Sequence, residues 1–184
     1  MPKPYIPNDA WSRKAAAEGY RARSVYKLME LDERFDLLHP GMNVLDLGAA
    51  PGSWLQYVSK KIGPRGNVIG IDLVEMEPVA DNVSLHRQDI TDEAAVSSIL
   101  KQSGVEEFGL VLSDIAPSTS GVKDIDQWRS VELATIVLRL ASKYLKPGGT
   151  CVVKVFRGAD FDDFLRKTQL QWQDMKVVDR KSVV

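Results

Sequence analysis

The chain has 184 residues, of which 44% are hydrophobic and 27% charged, and its net charge is −1. That composition suits one globular domain with a substantial core. It excludes a disulfide scaffold, because Cys151 is the only cysteine, and a bilayer-spanning helix, because no apolar run approaches about 20 residues.

In chain order, Pro2, Pro4 and Pro7 space out an extended arm that has no apolar core of the signal-peptide kind, so a cytoplasmic, reducing setting is expected. Residues 1–27 carry six basic and two acidic side chains, whereas the rest of the chain carries 18 and 23. Such an arm is either a surface for an anionic partner or a solvated terminal helix. Residues 9–18 suit a short helix ended by Gly19. Ser24 is placed to cap a second helix whose packing face is Val25, Leu28, Met29, Leu31 and Phe35. A turn at His39-Pro40-Gly41 follows, with His39 on the surface.

From there strands and helices alternate. Strands are expected at Asn43–Leu47, 67–71, 83–86, Phe108–Ser113 and 150–155, with a weak last one at 175–178. Helices are expected at Ser53–Ile62, 92–102, 126–145 and 161–167. The helix at 126–145 shows an apolar stripe of Val131, Ala134, Val137, Leu138 and Ala141, and Lys146-Pro147-Gly148-Gly149 should stop it. Near-continuously apolar strands between helices predict an α/β fold, a mostly parallel twisted sheet covered on both faces. Residues 1–34 form a basic arm and helices packed on a domain at 35–184, a single domain overall.

The stretch Val44-Leu45-Asp46-Leu47-Gly48-Ala49-Ala50-Pro51-Gly52-Ser53-Trp54 reads as a strand, a turn of small residues and a helix start. In an open α/β sheet, ligands bind beside such a junction. The turn lacks the G-x-G-x-x-G of a dinucleotide site, and no P-loop occurs in the chain. Asp72, ending the second strand, suits a ribose, and Asp89, after the third, can accept from an exocyclic amine or cap the next helix. Gly52 at the helix start can receive a carboxylate. Trp54 suits either that ligand or the core, and Asp46 should hold the loop by hydrogen bonds. A nucleoside ligand without a required diphosphate points to S-adenosylmethionine. No Cys/His cluster suggests a metal.

Lys154 interrupts the apolar strand Cys151-Val152-Val153-Lys154-Val155-Phe156. A buried ammonium needs a partner or loses its proton, unless it snorkels to solvent. Asp114, which ends the fourth strand, is placed to be that partner.

These residues carry a resemblance. Glu18-Gly19-Tyr20-Arg21-Ala22-Arg23-Ser24-Val25-Tyr26-Lys27-Leu28, Asp46 through Trp54, Gly70-Ile71-Asp72, Ser113-Asp114-Ile115-Ala116-Pro117 and Val152-Val153-Lys154-Val155-Phe156 resemble the FtsJ-like (RrmJ- or RlmE-type) ribosomal RNA 2′-O-methyltransferases. The match runs over residues 11–178. It implies a Rossmann-like class I methyltransferase fold and a monomer that uses S-adenosylmethionine. The implied substrate is a uridine ribose of large-subunit ribosomal RNA. By the same resemblance, Lys27, Asp114 and Lys154 take the first three places of a Lys-Asp-Lys-Glu tetrad. Cofactor contacts fall on Gly52, Trp54, Asp72, Asp89 and Asp114. Lys154 is then the base, and Lys14, Arg21 and Arg23 meet phosphates.

Two departures from the family pattern stand out. Ser53 replaces a common glycine and is comfortable at a helix start. After Lys176-Val177-Val178 the family continues to the tetrad glutamate and a last edge strand, whereas this chain reads Asp179-Arg180-Lys181-Ser182-Val183-Val184. On that reading the alternative function is a cofactor- and RNA-binding ribosome-assembly factor with little turnover, with one sheet edge uncovered.

Overall fold

Every residue of β1 (Asn43–Leu47) after its first is buried, as a strand covered on both faces must be. The computed structural model describes residues 9–178. It surrounds β1 with β2 (Asn67–Asp72), β3 (Val83–Arg87), β4 (Phe108–Ser113) and β5 (Leu145–Val153). All pairings are parallel, and the order is β3-β2-β1-β4-β5. Asp46 lies opposite Gly70 of β2 and Leu112 of β4.

Side chains alternate across the sheet and so divide the core into two layers. Val44, Val68, Leu110 and Leu112 pack under α2 (Val25–Phe35) and α3 (Ser53–Ile62), through Val25, Leu28, Trp54, Leu55 and Val58. Leu45, Leu47, Ile69, Ile71 and Val111 face the other way. They meet Val96 and Leu100 of α4 (Glu93–Gln102), and Val137, Leu140 and Ala141 of α5 (Lys123–Tyr144). α1 (Ala10–Ala17) and α6 (Phe161–Gln169) complete the helices. Strand order reverses between β1 and β4, which opens a crevice at their C-terminal ends.

Several local expectations change. Ser24 does not cap α2: its own backbone is already helical at φ −59°, and its hydroxyl meets that of Ser53 at 2.9 Å. A cap requires extended backbone, which Asp9 provides for α1 at φ −80°, ψ 169°, accepting from the Ser12 N–H at 2.9 Å. β5 starts at Leu145 rather than 150, because Lys146-Pro147-Gly148-Gly149 forms an irregularity against β4 instead of ending the ladder. Residues 175–178 form no strand, since no neighbour pairs with them among the described residues, and an isolated extended segment has no ladder to join. Lys3, the opening prolines and Asp179–Val184 lie outside the described residues.

Candidate active site

The crevice begins with the turn between β1 and α3. Gly48 at φ +80° and Gly52 at φ +98° take backbone conformations that a Cβ disfavours. A Cβ on Gly48 would also lie 2.7 Å from that of Ile115, the residue after Asp114. Gly52 is the N-cap of α3 and supplies no side-chain acceptor, so the helix's first-turn N–H groups carry no side-chain cap. The indole of Trp54 packs in the core: the residue is 5% exposed, and its Nε1–H donates to the Ser24 carbonyl at 2.8 Å. Its indole therefore ties α2 to α3.

Asp72 ends β2 beside this turn. Oδ2 accepts from the Ala50 N–H at 2.9 Å and Oδ1 from the Val74 N–H at 2.8 Å. Each carboxylate oxygen has a second lone pair for a ligand hydroxyl. Asp89 uses Oδ1 to accept from the N–H and hydroxyl of Thr91, at 2.9 and 2.8 Å. It is not the helix cap, because Asp92 does that work by accepting from the Ala95 N–H at 3.0 Å.

Across the crevice, three side chains from three elements converge. Val25 and Leu28 are fully buried and set the rotation of α2, which brings Lys27 Nζ to 3.2 Å from both carboxylate oxygens of Asp114. Asp114 directly follows β4. Lys154 directly follows β5 and extends the ladder by one bond, its N–H donating to the Ser113 carbonyl at 2.9 Å. Its Nζ lies 3.1 Å from Asp114 Oδ1 and also donates to the Asp114 backbone carbonyl. The three side chains are 36%, 20% and 26% exposed for Lys27, Asp114 and Lys154, so water and a substrate can both reach them.

Behind this cluster lies a residue whose role sequence reasoning misjudged. Asp46 is 1% exposed, and neither carboxylate oxygen has a hydrogen-bond partner among the described residues. It therefore does not hold the loop by hydrogen bonds, as expected. Desolvation, and after it the charges of Asp114 and Asp72, push its carboxyl well above the usual range. The signal was present in the sequence: an acid inside an apolar strand is the same anomaly that singled out Lys154.

The basic segment has internal partners. Lys14 lies 3.9 Å from Glu18 and above the rings of Trp11 and Tyr26, and Arg23 pairs with Asp9. These pairs are exposed, and exposed pairs hold their partners weakly. Arg21, expected to meet phosphates, instead turns its guanidinium into the protein. Nη1 donates to the carbonyls of Pro51 and Glu77 and Nη2 to that of Pro78.

A family model described as FtsJ-like methyltransferase matches residues 20–183. The ribosomal RNA large subunit methyltransferase E of Pseudomonas fluorescens (strain Pf0-1) is 40% identical over 171 residues, covering 93% of this chain and 81% of that protein. Its namesake from Azoarcus sp. (strain BH72) is 46% identical over 157 residues, covering 85% and 76%. A Plasmodium falciparum crystal structure assigned as a ribosomal RNA methyltransferase superposes with a TM-score of 0.81 at 29% identity, covering 87% of this chain and 91% of that one.

Proposed function

Since the chain belongs to the FtsJ-like methyltransferase family, we propose that it methylates large-subunit ribosomal RNA at a ribose 2′-hydroxyl, of a uridine, using S-adenosylmethionine. The observation that carries this reading is the convergence of Lys27, Asp114 and Lys154 beside the turn that opens α3.

The crevice fits the cofactor's chemistry. The uncapped start of α3 at Gly52 suits a carboxylate, the carboxylate of Asp72 a ribose diol, and that of Asp89 an exocyclic amine. When bound, S-adenosylmethionine supplies an electrophilic methyl group.

The chain's own residues must then align a hydroxyl and remove its proton. Lys154 directs two N–H groups at Asp114, one to the carboxylate and one to the backbone carbonyl. A neutral amine has two N–H groups and a lone pair, so a deprotonated Lys154 can still donate to Asp114 while its lone pair accepts the hydroxyl proton. Lys27, held by both oxygens of the same carboxylate, orients the hydroxyl by donating to it. Asp114 keeps the two nitrogens at a set spacing, and alignment supplies much of the rate. Lys14 and Arg23 can exchange their exposed partners for phosphates.

The test is transfer of a labelled methyl group from S-adenosylmethionine to large ribosomal subunits, followed by mapping of the modified position. Resistance of one phosphodiester bond to alkali is expected, because a 2′-O-methyl group blocks cleavage. Label on a base, or none transferred, would refute the reading.

A further inference from the structure

Arg21 lies in a basic stretch, where a phosphate contact is the plain expectation. Its donors go elsewhere. Nη1 donates to the Pro51 carbonyl at 3.1 Å and the Glu77 carbonyl at 2.9 Å, and Nη2 to the Pro78 carbonyl at 2.7 Å. Its backbone N–H donates to Gln56 Oε1 at 2.9 Å, and Gln56 Nε2 donates to the Gly19 carbonyl at 3.0 Å. One side chain thus ties together segments 30, 56 and 57 residues away in sequence.

The identity of those segments gives the contacts their meaning. Pro51 belongs to the turn that opens α3, while Glu77 and Pro78 belong to the loop that follows Asp72. They adjoin the ends of β1 and β2, beside Gly52 and Asp72, the residues assigned above to the cofactor. The two segments meet at Gly52: a Cβ there would lie 2.8 Å from Arg21 Nη1 and 3.5 Å from Val79 Cγ2. A guanidinium suits this position, since its planar fork of five donors can serve three carbonyls at once, whereas an ammonium is a point charge on a flexible stem.

We propose that Arg21 is a positioning residue for the cofactor site, setting the separation between the first turn of α3 and the loop after Asp72. The proposal rests on the reading of that crevice as the S-adenosylmethionine site. The affected carbonyls lie in exposed contacts, so water can replace Arg21 as their partner. Its loss should therefore loosen the loops more than it unfolds the chain.

The experiment uses the full chain with Arg21→Ala and Arg21→Lys. S-adenosylmethionine binding is measured by calorimetry, methyl transfer by steady-state kinetics, and binding to a ribosomal RNA fragment as a function of salt. Arg21→Ala should weaken cofactor binding about tenfold, a loss typical of a disturbed supporting contact. Its KM for cofactor should rise with a smaller change in kcat, and the salt slope of RNA binding should stay that of the wild type. Arg21→Lys should also lose cofactor affinity, because the carbonyls are reached from two separate guanidinium nitrogens and a lysine has only one. Unchanged cofactor affinity in both variants would overturn the proposal. So would a fall of about one in the salt slope for Arg21→Ala with full rescue by lysine, the behaviour of a phosphate contact. If Arg21→Ala does not fold, Arg21→Lys alone decides between these outcomes. Failure of the wild type itself to bind S-adenosylmethionine would instead refute the site reading, and the proposal with it.

Discussion

Replacing Lys154 by arginine separates its charge from its proton chemistry. Arginine keeps a cation beside Asp114 but is not deprotonated in proteins, so it cannot act as the base. Loss of a general base typically costs 10²- to 10⁴-fold in rate, about 3–5 kcal/mol of barrier. The effect on folding should be much smaller. Asp114 still has Lys27 at 3.2 Å from both oxygens, and the Lys154 side chain is 26% exposed. Removing the pair altogether, as Lys154→Ala does, is therefore worth about 1 kcal/mol after solvent screening, or a shift of about 2–4 °C in Tm for a chain of this size, and Lys154→Arg should shift it less. Single-turnover methyl transfer at saturating cofactor is the appropriate assay, accompanied by cofactor binding and a thermal melt. Lys154→Arg and Lys154→Ala should both bind cofactor normally and lose at least 10²-fold in rate. Near-full transfer by Lys154→Arg would refute the base assignment and leave the position a purely electrostatic role.

Three further tests address the scaffold. The raised titration of Asp46 means that the folded chain keeps a proton which the unfolded chain releases above about pH 4, so this site erodes stability as pH rises from there towards its own titration. Urea midpoints should show wild-type stability falling relative to Asp46→Asn over that interval, by up to about 1.4 kcal/mol per pH unit, and parallel pH curves would refute the argument. Asp32 is 6% exposed and accepts from the Leu38 N–H at 2.9 Å and the Tyr57 hydroxyl at 2.8 Å, with Lys61 at 3.3 Å. Asp32→Ala strands two buried donors and should cost about 3 kcal/mol in urea unfolding; a loss below about 1 kcal/mol would mean that the site relaxes or admits water. Gly48→Ala combines a left-handed backbone with a Cβ 2.7 Å from Ile115 Cβ and 3.2 Å from Ile115 Cα. A cost of about 3 kcal/mol is expected in thermal denaturation, and an unchanged Tm would contradict the close approach of the two loops.

The order of elements was legible because this fold writes itself locally. Runs such as Leu110 to Leu112, and Val44 to Leu47 but for Asp46, are apolar on both faces, and only a sheet covered on both sides tolerates that. The helix starting at Ser53 and the turn before it were equally visible, since the glycines and prolines that shape turns act over a few residues. Lys154 and Asp114 could be paired from sequence because charge in or beside a buried strand demands a partner, and parallel neighbours end at the same level of the sheet. Lys27 had no such signal; its assignment came from resemblance, and the packing of α2 through Val25 and Leu28 brings it to Asp114.

Other features belong to tertiary structure alone. A segment at 175–178 with strand composition forms none, because pairing depends on a neighbour and not on the segment. Asp46 and Asp72 are both acids at strands bordering one turn. Asp72 finds the N–H groups of Ala50 and Val74, while Asp46 finds no donor among the described residues, and only the folded backbone distinguishes the two. Arg21 and Arg23 stand two residues apart in the same basic stretch, yet one faces exposed Asp9 and the other three carbonyls brought together by folding. The sequence by itself determined which elements form and which residues carry charge. Only the tertiary structure decided which of those charges serve the fold and which face the crevice, because a side chain's partners are set by distances in space.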